Sequence, residues 1–121
     1  MKLSQLKKCI LILPLGLFLV GCSPVTPKDP DEIGAYVQCK DAVSERLKAP
    51  STAEFSTYSA TSVTKTKMSL KTGGDKEITF VVNGYVDAQN SFGAMLRNHY
   101  QCSVSGRTGG YWSVIAVSIN E

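Results

Sequence analysis

The chain changes its hydrophobic period at Pro50, and this change limits the folds that it can adopt. Before the proline, apolar residues recur at intervals of three and four, as on one face of a helix: Tyr36, Cys39, Val43 and Leu47. After it, apolar and polar residues alternate, as they do along half-buried strands. The pattern predicts one amphipathic helix that stops at Pro50 and is followed by a sheet.

Four segments after Pro50 are rich in residues that favour strands, and turn residues separate them. The predicted strands are Phe55 to Leu70, Lys76 to Ala88, Met95 to Ser105 and Tyr111 to Ile119. Consecutive strands joined by short turns pair antiparallel. We therefore predict an α+β domain in which one N-terminal amphipathic helix packs on a four-stranded antiparallel meander.

Residues 1–21 have the layout of a secretory signal peptide. A positive stretch precedes the apolar core, Cys9 to Val20, which is shorter than the about 20 residues of a membrane-spanning helix. The core ends in Leu19-Val20-Gly21-Cys22, which resembles the lipobox of bacterial lipoproteins. This resemblance implies cleavage before Cys22 and acylation of its thiol and new amino terminus, so that several acyl chains hold the protein in a membrane.

Removal of the signal peptide also removes the excess positive charge. The chain has a formal net charge of +3, from thirteen Lys and Arg against ten Asp and Glu. Three of those cations, Lys2, Lys7 and Lys8, precede Cys22, which leaves ten charges of each sign. A neutral domain has no positive field to attract phosphates, so nucleic acid is not expected as a partner.

The mature chain has the length of a single domain. Residues 22–31 contain the lipidated cysteine and three prolines, which disfavour a helix. We interpret them as a tether, which would lift the domain by roughly 25–30 Å if it extends at about 3.1 Å per residue. Residues 32–121 then form the helix-plus-sheet domain.

Cys39 and Cys102 are the two cysteines left for the mature domain, because Cys9 leaves with the signal peptide and Cys22 carries lipid. In an oxidising envelope compartment such a pair is expected to form a disulfide. Both residues fall on predicted buried faces, so packing of the helix on the sheet brings them together. The alternative is a metal site formed with His99, although a structural zinc site needs four ligands.

Three strings in the mature domain resemble a pattern in small bacterial and prophage-encoded exported proteins. They are Leu47 to Phe55, Val82 to Gly93, and the Tyr-x-Cys of Tyr100 and Cys102. The resemblance implies a shared fold but no activity, because those proteins are uncharacterised. One alternative role rests on this resemblance alone, that of a prophage lipoprotein acting in superinfection exclusion.

Two groups of polar residues are candidates for binding. One surrounds the predicted turn before Gly93 and consists of Asp87, Gln89, Asn90 and Ser91. Their side chains can hydrogen-bond a ligand, although the same residue types fill ordinary turns. The other lies near the first hairpin and consists of Lys65, Lys67, Lys71 and Lys76. These lysines can contact lipid phosphates or an acidic partner, or they protect a strand edge from aggregation.

The sequence contains none of the common catalytic motifs, and its single histidine, His99, is predicted to face solvent. We therefore predict a non-catalytic, membrane-anchored envelope lipoprotein, without cofactor or metal, that binds another envelope component. The alternative is a periplasmic enzyme or inhibitor that acts on the cell wall through residues 87–93 and His99. In a Gram-negative host, Ser23 after the lipidated cysteine indicates the periplasmic face of the outer membrane; otherwise the outer face of the plasma membrane is expected.

The lipobox interpretation is tested by the substitution Cys22→Ala. Without the thiol there is no site for the first lipid, so the variant should leave the membrane fraction or stay uncleaved. Cell fractionation and metabolic labelling with palmitate measure these outcomes. Cys9→Ala is the control, because that residue lies within the signal peptide. Unchanged lipid labelling of Cys22→Ala would refute the lipobox.

Overall fold

The computed structural model describes residues 27–120, which form an α+β domain with one α-helix and an open sheet of five antiparallel strands. The elements are helix α1 (Glu32–Ser44) and strands β1 (Glu54–Phe55), β2 (Ser62–Leu70), β3 (Lys76–Gln89), β4 (Met95–Arg107) and β5 (Tyr111–Asn120). The predicted signal peptide and Cys22 lie outside the described residues. Within residues 27–120, no helix is long and apolar enough to cross a membrane.

Helix α1 begins at a side-chain cap and buries one face. The Asp31 carboxylate accepts a hydrogen bond from the Gly34 N–H at 2.8 Å, which satisfies one of the free donors at the helix start. The buried face consists of Ala35, Cys39 and Val43, which recur at every fourth position. Positions 39 and 43 belong to the apolar stripe on which the helix prediction rests.

The helix begins where the predicted domain begins, but it ends earlier than predicted. It begins at Glu32, so it is not N-terminal in the chain. It ends at Ser44, where the N–H groups of Arg46 and Leu47 donate to carbonyls three residues back instead of four. Pro50 does not stop α1 but begins a short 3₁₀ helix. The early end of α1 leaves part of the sheet without a covering helix.

Strand β3 pairs with three other strands. It pairs with β4 over thirteen positions, and β4 pairs with β5, so β2 to β5 form the predicted meander. The two residues of β1 pair with β3 on the same edge as β2, which gives five strands where four are predicted.

The additional strand arises because the predicted segment from Phe55 to Leu70 is interrupted. The Ser56 N–H donates to the Tyr85 carbonyl at 2.8 Å, and Ser56 Oγ accepts from the Tyr85 N–H at 3.1 Å. Ser56 Oγ also lies 2.8 Å from Thr61 Oγ1, which closes the residues between them into a loop. Ser56 and Tyr85 are 29 positions apart, so local strand propensity does not indicate this break.

The core lies between α1 and one face of the sheet, and a disulfide bond crosses it. Cys39 and Cys102 are fully buried and covalently linked, with their Cα atoms 5.8 Å apart, as predicted. Phe80, Val82 and Val104, which are among the largest fully buried side chains, belong to the same apolar cluster. The disulfide therefore fixes the helix to β4, a strand with a neighbour on each side.

The other face of the sheet is open to solvent. Along β4, Tyr100 and Cys102 are buried, whereas Arg97, His99 and Gln101 are exposed, in the predicted alternation. The domain therefore has two layers, the sheet and the helix that covers one of its faces. The other face of the sheet contacts solvent.

Removal of the disulfide should destabilise the domain strongly. Its cysteines are 63 residues apart, and the chain-entropy relation gives about 4 kcal/mol for a closed loop of that length. The double variant Cys39→Ala/Cys102→Ala should lose about this much free energy of unfolding, as measured by urea denaturation of the purified protein. Reduction of the unaltered protein should produce a similar loss. Equal urea midpoints for the oxidised and reduced protein would contradict the expectation.

Candidate functional site

A groove forms where the sheet continues beyond the end of α1. Its floor contains Ala88 and Leu96, which pair across β3 and β4, together with Asn98 and Ile119. Residues 89–92 form one wall, and residues 46–48 form the other. The volume is about 330 Å³, at the lower end of the roughly 300–1,000 Å³ typical of ligand sites. The alternation along β4 predicts that Leu96 is buried. It is 43% exposed because this part of the sheet lies beyond the helix.

Asn90 holds the turn that forms the first wall. Its Oδ1 accepts hydrogen bonds from the N–H groups of Phe92 at 2.9 Å and Ala94 at 3.0 Å. Gly93 completes the turn with a φ of 83°, which glycine adopts without steric cost. Asn90, which belongs to the predicted ligand loop, therefore stabilises the turn. Gln89 and Ser91 of the same loop line the groove.

Thr52 ties the two walls together. Its Oγ1 accepts a hydrogen bond from the Gln89 N–H at 3.0 Å, at the start of the first wall. The same hydroxyl donates to the Ala49 carbonyl at 2.7 Å, next to the second wall. One long-range hydrogen bond and one local hydrogen bond therefore connect the two walls through a single hydroxyl.

Asn98 supplies an unpartnered polar atom to this site. It lines the groove, yet its Oδ1 is buried and accepts no hydrogen bond. A buried acceptor without a partner costs about 1–3 kcal/mol, so native proteins seldom retain one without a reason. Rotation of the amide about its broad terminal torsion would turn the oxygen toward a donor in the groove.

The charged residues that line the described part of the groove are cations. Arg46 and Lys48 are exposed in the second wall, and the groove lining within the described residues contains no carboxylate. The Arg46 guanidinium also donates to the Val117 carbonyl at 3.4 Å, which holds it against the edge of β5. The site thus combines cations with an apolar floor.

Apolar side chains extend from the groove onto the tip of the β3–β4 hairpin. Phe92 is 94% exposed at the rim, and Met95 and Leu96 are about half exposed. Exposed apolar groups that adjoin a groove rimmed by polar residues indicate a binding surface.

Asp87 does not join the groove, although it belongs to the predicted ligand loop. Its carboxylate accepts two hydrogen bonds from the Arg97 guanidinium, at 2.8 and 2.9 Å, on the opposite face of the sheet. The hydrogen bonds from Arg97 lower the pKa of Asp87 below its usual value. The guanidinium also lies 3.8 Å from the centre of the Tyr85 ring. Asp87 is therefore part of a surface cluster on the open face.

His99 also lies on the open face, with its ring 6.4 Å from that of Tyr85. A metal site formed by His99, Cys39 and Cys102 is wrong, because both sulfur atoms form the disulfide inside the core. Within residues 27–120, no three His, Cys, Asp or Glu side chains are placed to hold a metal ion.

The predicted basic group is largely paired with carboxylates. Three ion pairs join Lys65 to Glu32 at 3.3 Å, Lys71 to Glu77 at 3.4 Å and Lys76 to Asp29 at 3.0 Å. The fourth lysine of the group, Lys67, is exposed on β2. These pairs reduce the net charge of the region, so the four lysines do not form a continuous cationic surface.

Asn98, Arg46 and Lys48 are absent from the binding residues that the sequence predicts. A signal for Asn98 exists, because the alternation that buries Tyr100 and Cys102 also places position 98 on the inner face. Arg46 and Lys48 fall near the end of the predicted helix, where cations complement the helix dipole. That explanation gives no reason to expect them in the wall of a groove.

Comparisons of the chain with protein families, with curated proteins and with solved structures gave no match. The function of the groove is therefore inferred from its own residues.

The cost of the unpartnered acceptor is measured by Asn98→Leu. Leucine has a similar volume and no polar atom, so the free energy of unfolding should rise by about 1 kcal/mol. Urea denaturation measures the change. Asn83→Leu is the matched control, because Asn83 is exposed on the open face and its replacement should have a smaller effect. A loss of stability in Asn98→Leu would show that the amide oxygen is needed by the unliganded fold.

Proposed function

We propose that the protein is a non-catalytic lipoprotein of the cell envelope that binds an acidic peptide segment of another envelope protein in the groove. The observation that carries this proposal is the Asn98 acceptor, which is buried without a partner beside two cations and an apolar floor. A binding site can retain an acceptor without a partner when a ligand supplies the donor.

The proposed location has two independent supports. The sequence Leu19 to Cys22 resembles a lipobox, which would attach the chain to a membrane through Cys22. The domain contains a buried disulfide, and disulfides persist in oxidising compartments outside the cytoplasm. In a Gram-negative host this location is the periplasmic face of the outer membrane, and in other hosts it is the outer face of the plasma membrane.

The groove presents three kinds of contact that one peptide segment can satisfy. A backbone N–H of the peptide can donate to Asn98 Oδ1, which lacks a donor. A carboxylate can pair with Arg46 or Lys48, and an apolar side chain can cover Leu96. The volume of about 330 Å³ suits a few residues of a peptide and is small for a folded partner.

The chemistry of the lining supports recognition over catalysis. The polar groups in the groove are amides, a hydroxyl and two cations, which form hydrogen bonds and ion pairs but do not exchange protons readily near neutral pH. The two groups that the alternative enzyme would use for proton transfer, His99 and Asp87, lie on the other face of the sheet, where Arg97 binds Asp87.

The proposal is tested by site-specific photocrosslinking of the lipidated protein in living cells. A benzophenone amino acid replaces Phe92 at the groove rim or, as the matched control, Tyr111 at the other end of the sheet. Both residues are exposed aromatics, at 94% and 71%. We expect a discrete protein adduct from position 92 and none from position 111.

A second substitution relates the adduct to the groove. Lys48→Glu should reduce the adduct at position 92 severalfold, because it places a negative charge where an acidic segment is expected. Lys67→Glu, which alters an exposed lysine outside the groove, should leave the yield unchanged. Identical adducts at positions 92 and 111, or a yield that Lys48→Glu does not lower, would reject the groove as the binding site.

A further inference from the structure

The segment before α1 is attached to one particular end of the sheet. The Lys28 carbonyl accepts a hydrogen bond from the Gly109 N–H at 3.1 Å. The Asp29 carboxylate accepts from Thr108 Oγ1 at 2.9 Å and pairs with the Lys76 ammonium at 3.0 Å. Lys76 begins β3, and Thr108 and Gly109 follow β4, so the chain joins the domain at this end. We call it the attachment end.

Packing reinforces these polar contacts. Pro30 is buried, and a Cβ atom built on Gly106 would lie 2.6 Å from Pro30 Cβ and 2.7 Å from the Trp112 ring. Only glycine permits this close approach of the segment to the sheet. Residues 28–31, which belong to the predicted tether, are therefore held by the domain, and a free tether would have to precede them.

The groove lies at the opposite end of the same strands. β3 runs from Lys76 at the attachment end to Gln89 in the wall of the groove, over 14 residues. At about 3.3 Å per residue, the two ends of this strand are roughly 40 Å apart.

The chain between the proposed lipid and the attachment end is short. Six residue steps separate Cys22 from Lys28, and even a fully extended chain spans at most about 3.6 Å per step, or roughly 20 Å. An inverted domain, with its groove on the lipid, would hold Lys28 roughly 40 Å above the surface, beyond the reach of the chain.

We propose that the attachment end faces the lipid surface and that the groove opens away from it, so that the acidic peptide segment is presented from the aqueous envelope and not from the anchoring bilayer. This inference rests on the proposed lipid anchor at Cys22. It restricts the partner to a protein whose binding segment lies at roughly 40 Å or more from the membrane that holds this chain.

The side chains of the attachment end suit a lipid interface. Leu70 is 72% exposed on the β2–β3 hairpin, and Tyr111 is 71% exposed at the start of β5. Tyrosine favours the boundary between headgroups and hydrocarbon, and apolar side chains can enter it. Asp29 and Glu77, two carboxylates of this end, are paired with lysines, which limits their repulsion from anionic lipid.

The orientation is tested with the mature lipidated protein, residues 22–121, bound to the outside of preformed vesicles. Leu70→Cys and Phe92→Cys place a thiol at the attachment end and at the groove rim. Each is the single reactive thiol of the mature chain, because Cys39 and Cys102 form the disulfide and Cys22 would carry lipid. A fluorophore is attached to each thiol, and the vesicles contain phosphatidylcholine, phosphatidylglycerol and a lipid with a nitroxide on its headgroup.

Nitroxide quenching requires close approach, so the probe at position 70 should be quenched severalfold more than the probe at position 92. Met68→Cys and Met95→Cys form a second pair at the same two ends, exposed by 63% and 48%, and should repeat the difference if one of the first variants folds poorly. Equal quenching at the two ends, or stronger quenching at positions 92 and 95, would overturn the orientation.

Flotation of the vesicles separates this outcome from failure of the anchor. Protein that floats with the vesicles but is quenched equally at both ends retains the proposed anchor and rejects the orientation. Protein that does not float rejects the anchor, and the orientation with it. The photocrosslinking result at position 92 depends on neither measurement, so the binding function can be judged separately.

Discussion

The contact between α1 and the sheet, fixed at Cys39 and Cys102, determines most other features of this domain. The disulfide joins a helix of thirteen residues to a sheet whose central strands are as long or longer. Because a helix rises about 1.5 Å per residue and a strand about 3.3 Å, the helix covers less than half of the length of β3. The segment that follows α1 covers part of the remaining inner face with Leu47, Ala53 and Phe55, and the groove occupies another part of it.

The sequence predicts the elements of the fold well where the signal is local. When one face of a helix or strand is buried, its apolar residues recur with the period of that element. This accounts for the helical stripe through Cys39 and Val43 and for the alternation around Cys102. The break at Ser56 is not local, because it depends on backbone groups of Tyr85 in another strand. Propensity along the chain carries no information about such a partner, and this is why five strands replace the predicted four.

The site was predictable only in part, for the same physical reason. Gln89 and Ser91 are recognisable as polar residues near a turn, and they line the groove. Asp87 is also a polar residue near the turn, but it lies on the face opposite Ala88 of the groove floor, where Arg97 binds it. The cations of the second wall come from a segment some forty positions earlier, and the contact that aligns them with the turn is a long-range hydrogen bond from Gln89 to Thr52.

If the chain is anchored in a membrane and binds a partner, as proposed, the attachment of residues 28–31 has a mechanical consequence. Tension between the anchor and a segment bound in the groove would enter the domain at two places: where residues 28 and 29 contact Lys76, Thr108 and Gly109, and, through α1 and the disulfide, at Cys102 of β4. From both places it would run lengthwise along β3 and β4, which both contribute residues to the groove and pair with each other over thirteen positions. The domain is therefore arranged to resist a pull along its long axis.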